Sequence, residues 1–355
     1  LKQTTRKGRS CSQGKETTLL KTAEIVRAWG KILRGQAPSL SIEVTRECPL
    51  RCPGCYAYDD NHLGGETTLR ELRDRKGQEL IDGVLEIVDK HRPLHLSIVG
   101  GDPLVRYREM EALIPLILDK GVHIQLVTSA FRPLPEAWAS VPGLNVVVSI
   151  DGLQPEHDER RKPATYDRIL NNIQGQNVTI HCTITSQMMR SDGYLERFLQ
   201  FWTPRQEIKR VWFSIFTPQR GDSMEEILTP AERKKAVADM LSLRERYPKL
   251  DMHPKMIAEY LTPPDSPDSC VFSMTTKTIS ADLTTLITPC QFGGDPDCGS
   301  CGCIASAGLK AIADHKLGGV VPISAIFKAS IAIGRLVSGE ERVPAPQKAD
   351  FPILR

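Results

Sequence analysis

Apolar and polar residues alternate along six short runs of this chain, and between them the apolar positions recur at helical spacing. Leu40-Ser-Ile-Glu-Val-Thr, His95-Leu-Ser-Ile-Val and Val122-His-Ile-Gln-Leu-Val read as the first three strands. Leu144-Asn-Val-Val-Val-Ser-Ile, Val178-Thr-Ile-His-Cys-Thr-Ile and Val211-Trp-Phe-Ser-Ile-Phe read as the next three. Helical patterns fill 78–90, 107–120, 134–140, 165–174 and 192–203. Strands alternating with helices predict parallel βαβ units. Six units in about 180 residues predict an α/β fold, a partial (β/α)6 TIM-like barrel whose reactive residues sit where strands end.

The flanks complete the plan. An amphipathic helix is predicted within 17–34, and Thr229-Pro230 opens a charged helix over 229–246. The proline-rich Thr262-Pro-Pro-Asp-Ser-Pro marks a boundary. Beyond it, 272–279 and 283–288 predict a β-hairpin turning at Ser280-Ala-Asp282, and 304–337 is helical in pattern with a break at Gly318-Gly319 and Pro322. The expected organisation is a tail and helix (1–36), the barrel (37–262), a small cluster-binding region of hairpin plus helix (263–337) and a loose tail (338–355).

Composition excludes several classes. Hydrophobic residues make up 40% and charged residues 25%, as in ordinary globular domains. A net charge of +3, spread evenly, argues against nucleic acid, and the basic start (Lys2, Arg6, Lys7, Arg9, Lys15) reads as a solvated tail. No apolar run reaches the ~20 residues of a membrane span. No signal-peptide core precedes the barrel either, so the expected location is cytoplasmic. The chain begins at Leu1 rather than Met, which leaves upstream residues open. The sparsely charged stretch from Val320 to Ile333 keeps a hydrophobic substrate or a membrane surface open.

Ten cysteines change the picture. Cys48, Cys52 and Cys55 lie in a loop made irregular by Pro49, Pro53 and Gly54, directly after the first strand. Cys270, Cys290, Cys298, Cys301 and Cys303 form a second group, with Cys270 before the expected hairpin and Cys290 after it. Spacings of C-x3-C-x2-C and C-x2-C-x-C favour metal over disulfides and imply a reducing compartment. Thiolates suit iron–sulfur clusters or zinc. A closed zinc site wants four ligands, and His62 lies outside the common short spacing from Cys55. Three thiols on a four-iron cluster would instead leave one iron open. Cys182 alternates as a core residue and Cys11 has no partner. His95, His123 and His181 are expected as satisfied core histidines.

Other polar signals fall at the same strand ends: Gly100-Gly101-Asp102-Pro103, Thr128-Ser129 and Ser149-Ile-Asp151-Gly152. With the cysteine loop and the Tyr56 that follows it, these residues resemble the radical S-adenosylmethionine (SAM) superfamily. Gly100–Pro103 is similar to that family's Gly-Gly-Glu-Pro, with Asp in place of Glu. Ser149-Ile-Asp-Gly and His157-Asp-Glu-Arg-Arg161 resemble its sulfatase-maturing and peptide-modifying branch. The C-terminal cysteines resemble the accessory cluster of SPASM and, with fewer cysteines, Twitch regions.

The resemblance implies that Cys48, Cys52 and Cys55 hold a [4Fe–4S] cluster whose fourth iron is chelated by SAM. Reduction would split SAM into methionine and a 5′-deoxyadenosyl radical that takes a hydrogen from substrate. It places the SAM amino group on the Gly100–Pro103 backbone, with Ser149, Asp151 and Arg161 near its carboxylate or ribose and Thr128 nearby. It further implies one auxiliary iron–sulfur cluster on four of Cys270, Cys290, Cys298, Cys301 and Cys303, and a low-potential electron donor such as flavodoxin or ferredoxin. Arg220 and Asp222, beyond the sixth strand, are placed to meet substrate. A peptide or small metabolite, a lipid-like substrate, and a non-catalytic zinc or iron–sulfur binding module are the readings carried forward.

Overall fold

The alternation along the strands becomes the two faces of one sheet. The computed structural model describes residues 22–34, 36–58, 62–63, 72–314, 316–317, 321–323 and 329–333. The six expected strands are β1 (Ser39–Glu43), β2 (His95–Val99), β3 (His123–Thr128), β4 (Leu144–Ile150), β5 (Val178–Ile184) and β6 (Ile208–Ile215). They are parallel and lie side by side in chain order. Ile42, Ile98, Leu126 and Val146 fall in register on one face, all buried in the main core. Burying such side chains contributes about 1.5–3 kcal/mol each. The other face is polar: Ser41, Ser97, Gln125 and Asn145 are in register, and Thr179 of β5 donates to Asn145 at 2.8 Å. Ser149, His181 and Trp212 form a row nearer the strand ends. All three are only partly buried, Trp212 on the edge strand β6 and the other two on the strands beside it, so the inner face of the partial barrel is open toward this edge.

Helices cover the apolar face. They are α1 (Thr22–Ile32), α2 (Gly77–His91), α3 (Tyr107–Leu118), α4 (Gln154–Arg160), α5 (Tyr166–Asn172), α6 (Ser186–Met189) and α7 (Tyr194–Trp202). Then follow α8 (Pro230–Arg246), α9 (Pro254–Ala258), α10 (Val271–Thr275) and α11 (Ile304–Ala313). Leu80, Val84 and Val88 of α2, and Met110, Leu113 and Ile117 of α3, are spaced three and four apart and buried. The expected start of α8 is confirmed: Thr229 accepts from Glu232 N–H while the Glu232 side chain reaches back to the Thr229 N–H.

The region after 262 departs from expectation. The run 272–279 is not one hairpin strand. Its first half is α10, and Thr276–Ile279 forms β7, parallel to β1 with Ser39 opposite Thr276 and Ile42 opposite Ile279. The return run keeps hairpin-like bonds, Ser280 N–H to Thr285 at 2.9 Å and Ile287 N–H to Thr278 at 2.9 Å. It makes only one bridge, Ile279 to Leu286. The physical reason is the free edge of β1, whose unpaired backbone groups β7 satisfies. The sheet therefore has seven strands, in the order β6-β5-β4-β3-β2-β1-β7.

The chain after β7 then crosses to the far edge. Ile215 N–H donates to Gly302 at 3.0 Å, Arg220 N–H to Asp295 at 2.8 Å and Asp297 N–H to Pro218 at 2.9 Å. Residues 295–302 thus seam the end of β6 to the segment that follows β7. The helical expectation over 304–337 is met over Ile304–Ala313, which form α11; Lys316–Leu317 and Val321–Pro322 instead pair antiparallel. The basic start, Cys11, the 338–355 tail and most of the apolar stretch from 320 lie outside the described residues. Among the described residues no helix is long and apolar enough to cross a membrane.

Candidate active site and accessory thiol pocket

The cysteine loop is shaped before any ligand is considered. Leaving β1, the chain is pinned by Asp74, which accepts from the Thr45 hydroxyl, the Arg46 N–H and Arg46 Nε at 2.8, 2.8 and 2.9 Å. Glycines let the end of β2 approach it: a Cβ on Gly100 would lie 2.3 Å from the Thr45 carbonyl oxygen, and one on Gly101 2.3 Å from that of Glu47. Gly101 and Asp102 N–H donate to those carbonyls at 2.7 and 3.0 Å. The thiols of Cys48, Cys52 and Cys55 lie close enough to raise one another's pKa. Burial is the larger cause, and it pushes Cys48 up to about 11. Cys52 and Cys55 are raised in the same way. Such thiols keep their protons unless a cation replaces them. Three soft donors in one loop fit a cluster with an open iron.

The neighbouring strand ends supply polar groups, several of which serve the scaffold. Asp102 is 1% exposed. Its oxygens accept from Leu104 N–H at 3.0 Å, the Thr128 hydroxyl at 2.7 Å, and Ser129 N–H and hydroxyl at 2.8 and 2.6 Å. Asp102 and Thr128 thus tie the end of β2 to the end of β3.

Asp151, just past β4, accepts from Arg161 Nε at 2.8 Å and Arg160 Nε at 3.3 Å. Burial pushes this carboxyl up, and the two guanidiniums outweigh that and hold it below its ordinary value. Its N–H donates to His157 Nδ1 at 3.0 Å, while His157 Nε2 donates to Ala164 at 2.8 Å. That pattern fixes a neutral imidazole, consistent with a pKa lowered to about 4, first by burial and then by Arg161. Arg160 was not singled out in the sequence. It donates to the Pro53 carbonyl between Cys52 and Cys55 at 2.8 Å and to Glu226 at 2.7 Å, and its signal was the adjacent Arg-Arg pair after a strand-end Asp.

His181 faces inward beside Ser149, with Nε2 2.7 Å from the Ser214 hydroxyl, so it lines the open inner face rather than the core. Cys182, one residue on, is fully buried on the opposite face as expected.

All five C-terminal cysteines converge. Cys270, Cys290, Cys298, Cys301 and Cys303 line one small cavity of about 20 Å³, together with Phe272, Phe292, Pro264 and Ser306 among others. Burial pushes Cys290 and Cys298 up to about 12. Cys290 is further raised by Cys301, Cys270 and Cys298. Two of these thiols have polar side-chain neighbours: Cys303 Sγ receives Gln291 Nε2 at 3.3 Å and Cys270 Sγ lies 3.3 Å from the Ser306 hydroxyl, and Cys303 also caps α11. Arg233 of α8 holds the loop from outside through the Ser300 and Cys301 carbonyls, at 2.6 and 3.0 Å. Among the described residues no three His, Cys, Asp or Glu side chains are close enough to hold a single metal ion.

His62 does not complete the first thiol set. Its ring nitrogens lie 2.8 Å from Glu43 Oε1 and 2.9 Å from the Phe292 carbonyl. Tyr56, after Cys55, packs against both, its ring centroid 5.6 Å from His62 and 5.3 Å, edge-on, from Phe292. Arg220 and Asp222 serve the seam: Arg220 pairs with Asp295 at 3.2 Å, and Asp222 accepts from Gln219 N–H at 2.8 Å.

The site is thus three thiols after the first strand of an open parallel barrel. Residues 42–201, the segment from β1 to α7, match the family model of the radical SAM superfamily. The family implies an enzyme that uses a [4Fe–4S] cluster and S-adenosylmethionine.

Solved structures share the fold. Streptococcus suis SuiB bound to precursor peptide SuiA is similar at 16% identity and a TM-score of 0.50, over 89% of this chain and 70% of that one. His-tagged anSMEcpe with bound AdoMet is similar at 16% identity and a TM-score of 0.51, over 72% of this chain and 71% of that one. The chain spans 60% of the length of the SuiB chain solved with S-adenosylmethionine, at 14% identity and a TM-score of 0.49. At these identities the likeness is one of fold. No curated protein matches the chain in sequence.

Proposed function

We infer that this is a radical SAM enzyme that oxidises or otherwise modifies a peptide, with Cys48, Cys52 and Cys55 holding the open-iron cluster and an auxiliary cluster in the second thiol pocket. The observation that carries the reading is the convergence of two separate thiol sets, one at the barrel rim and one in the cavity that seams β6 to the segment after β7. When bound, the cluster and SAM supply a 5′-deoxyadenosyl radical that abstracts a substrate hydrogen.

The residues divide the remaining work. An ammonium needs acceptors, and in this turn the Asp102 carbonyl already accepts from Val105 N–H at 2.9 Å, so the other carbonyls of Gly100–Pro103 are what it would offer to the SAM ammonium. Arg161 spends Nε and one terminal nitrogen on Asp151 and keeps a second terminal nitrogen for a carboxylate. Asp151 positions that guanidinium. Ser149 and His181 line the space below. Cys270, Cys290, Cys298 and Cys301 would hold the auxiliary cluster, with Cys303 the surplus thiol. Full cysteine ligation suits electron transfer better than substrate binding, and a flavodoxin or ferredoxin would serve as donor. The fold shared with a peptide-bound neighbour supports the peptide class.

Anaerobic reconstitution of the full chain tests this. The reading requires about eight irons per chain, as two four-iron clusters, and 5′-deoxyadenosine from SAM under reductant. Tight zinc binding with no cleavage would sink it.

A further inference from the structure

A buried polar link joins the barrel's first strand to the accessory pocket, and nothing above gives it a task. Glu43 ends β1, and its side chain is 4% exposed; that of His62 is 0% exposed. His62 Nε2 meets Glu43 Oε1 at 2.8 Å and Nδ1 meets the Phe292 carbonyl at 2.9 Å. Ser280, directly after β7, donates to Glu43 Oε2 at 3.1 Å. Each ring nitrogen faces an oxygen, so each contact needs one hydrogen between its two atoms. A pair this deep adds little net stability over apolar packing of the same volume. What it does supply is register.

Four segments meet at this link: β1, the chain following the cysteine loop, the end of β7, and the turn after Cys290. The fit is close. A Cβ on Gly293, where φ is +63°, would lie 1.7 Å from the His62 carbonyl oxygen. Against the same link, the Tyr56 ring packs edge-on to Phe292 at 5.3 Å. Tyr56 follows a thiol of the first set by one residue, and Phe292 follows a thiol of the second by two.

We propose that Glu43 and His62 are positioning residues for the accessory centre: through the Phe292 carbonyl they hold the Cys290–Gly293 turn against Tyr56 and fix the separation and orientation of the two metal centres. The proposal rests on the two-cluster reading above. Electron transfer decays steeply with separation, so a link that holds this contact governs communication between the centres.

Hydrogen-bond inventory supplies a discriminating pair of variants. Glu43→Gln is isosteric, and its amide can donate to His62 Nε2 and accept from Ser280 while Nδ1–H still serves Phe292. Glu43→Leu combined with His62→Leu removes both polar partners together and leaves no unpaired buried charge. The full chain, anaerobically reconstituted, is assayed for iron and for the electron paramagnetic resonance of the two reduced centres, including their mutual broadening, and for the accessory midpoint potential.

The wild type should show about eight irons and mutual broadening. The double Leu variant should keep its iron but lose the broadening and shift the accessory potential. The Gln variant should match the wild type. If the double Leu variant fails to take up iron, Gly293→Ala asks the same question with both side chains in place, its Cβ pressing on the carbonyl and Nδ1 of His62, and it should alter the broadening. Wild-type broadening and potential in the loaded double Leu variant, or in Gly293→Ala where that variant is the one read, would overturn the proposal. A Gln variant as altered as the double would overturn it too. A wild type that binds only about four irons would overturn the two-cluster reading, and the proposal with it.

Discussion

Asp102 is the most telling case at the scale of single residues. By resemblance it belongs to a turn whose backbone meets the cofactor, and its side-chain oxygens are filled by Leu104, Thr128 and Ser129. Replacing it with Asn puts an amide NH2 where N–H or O–H donors already point. Asp102→Asn should therefore destabilise the fold by about 2–3 kcal/mol, read as a lower denaturant midpoint with an unchanged slope. The thiols divide differently. Cys52→Ala should abolish 5′-deoxyadenosine formation and remove about four irons. Cys298→Ala should remove the other set and spare SAM cleavage. A Cys52→Ala variant that still cleaves SAM would place the first cluster elsewhere.

Among elements, the six barrel strands and the capped start of α8 could be read from the chain because each is a local pattern: alternation, helical spacing, Thr-Pro with Glu two residues on. The gathering of thiols and polar residues at the rim was legible for the same reason, since they follow strands directly. β7 was not. A four-residue run has no signature of its partner, and only the unpaired edge of β1 draws it into the sheet. Arg160 and the inward turn of His181 were hidden likewise, because their roles depend on neighbours far along the chain. The seam between β6 and the thiol loop is as non-local, and it is narrow. A Cβ on Gly302 would lie 2.0 Å from the Ile215 carbonyl oxygen. Gly302→Ala should displace the Cys301–Cys303 turn and lower accessory iron while SAM cleavage persists, as iron assay and product analysis on one sample would show.

Across the whole molecule, buried histidines set an acid limit. Burial holds His95 and His157 near a pKa of about 4 instead of 6.5. Unfolded, each takes a proton near 6.5. Their contribution is thus complete above that pH and is lost as pH falls toward 4, at about 1.4 kcal/mol per unit for each. Thermal midpoints should fall across this window. His157→Gln, which can still accept from Asp151 N–H and donate to Ala164, should flatten the slope; an unchanged slope would assign the loss to other groups. The pairing of Ser39 with Thr276 has a different consequence, one of timing. On the ribosome β1 is made early and its edge partner late, so through most of synthesis a strand with one bare side waits, open to pairing with another nascent chain. Long-range parallel pairing is also slow to form. Chains truncated before β7 should therefore aggregate rather than fold to a smaller barrel, and yield of the intact protein should depend on chaperones more than on its final stability.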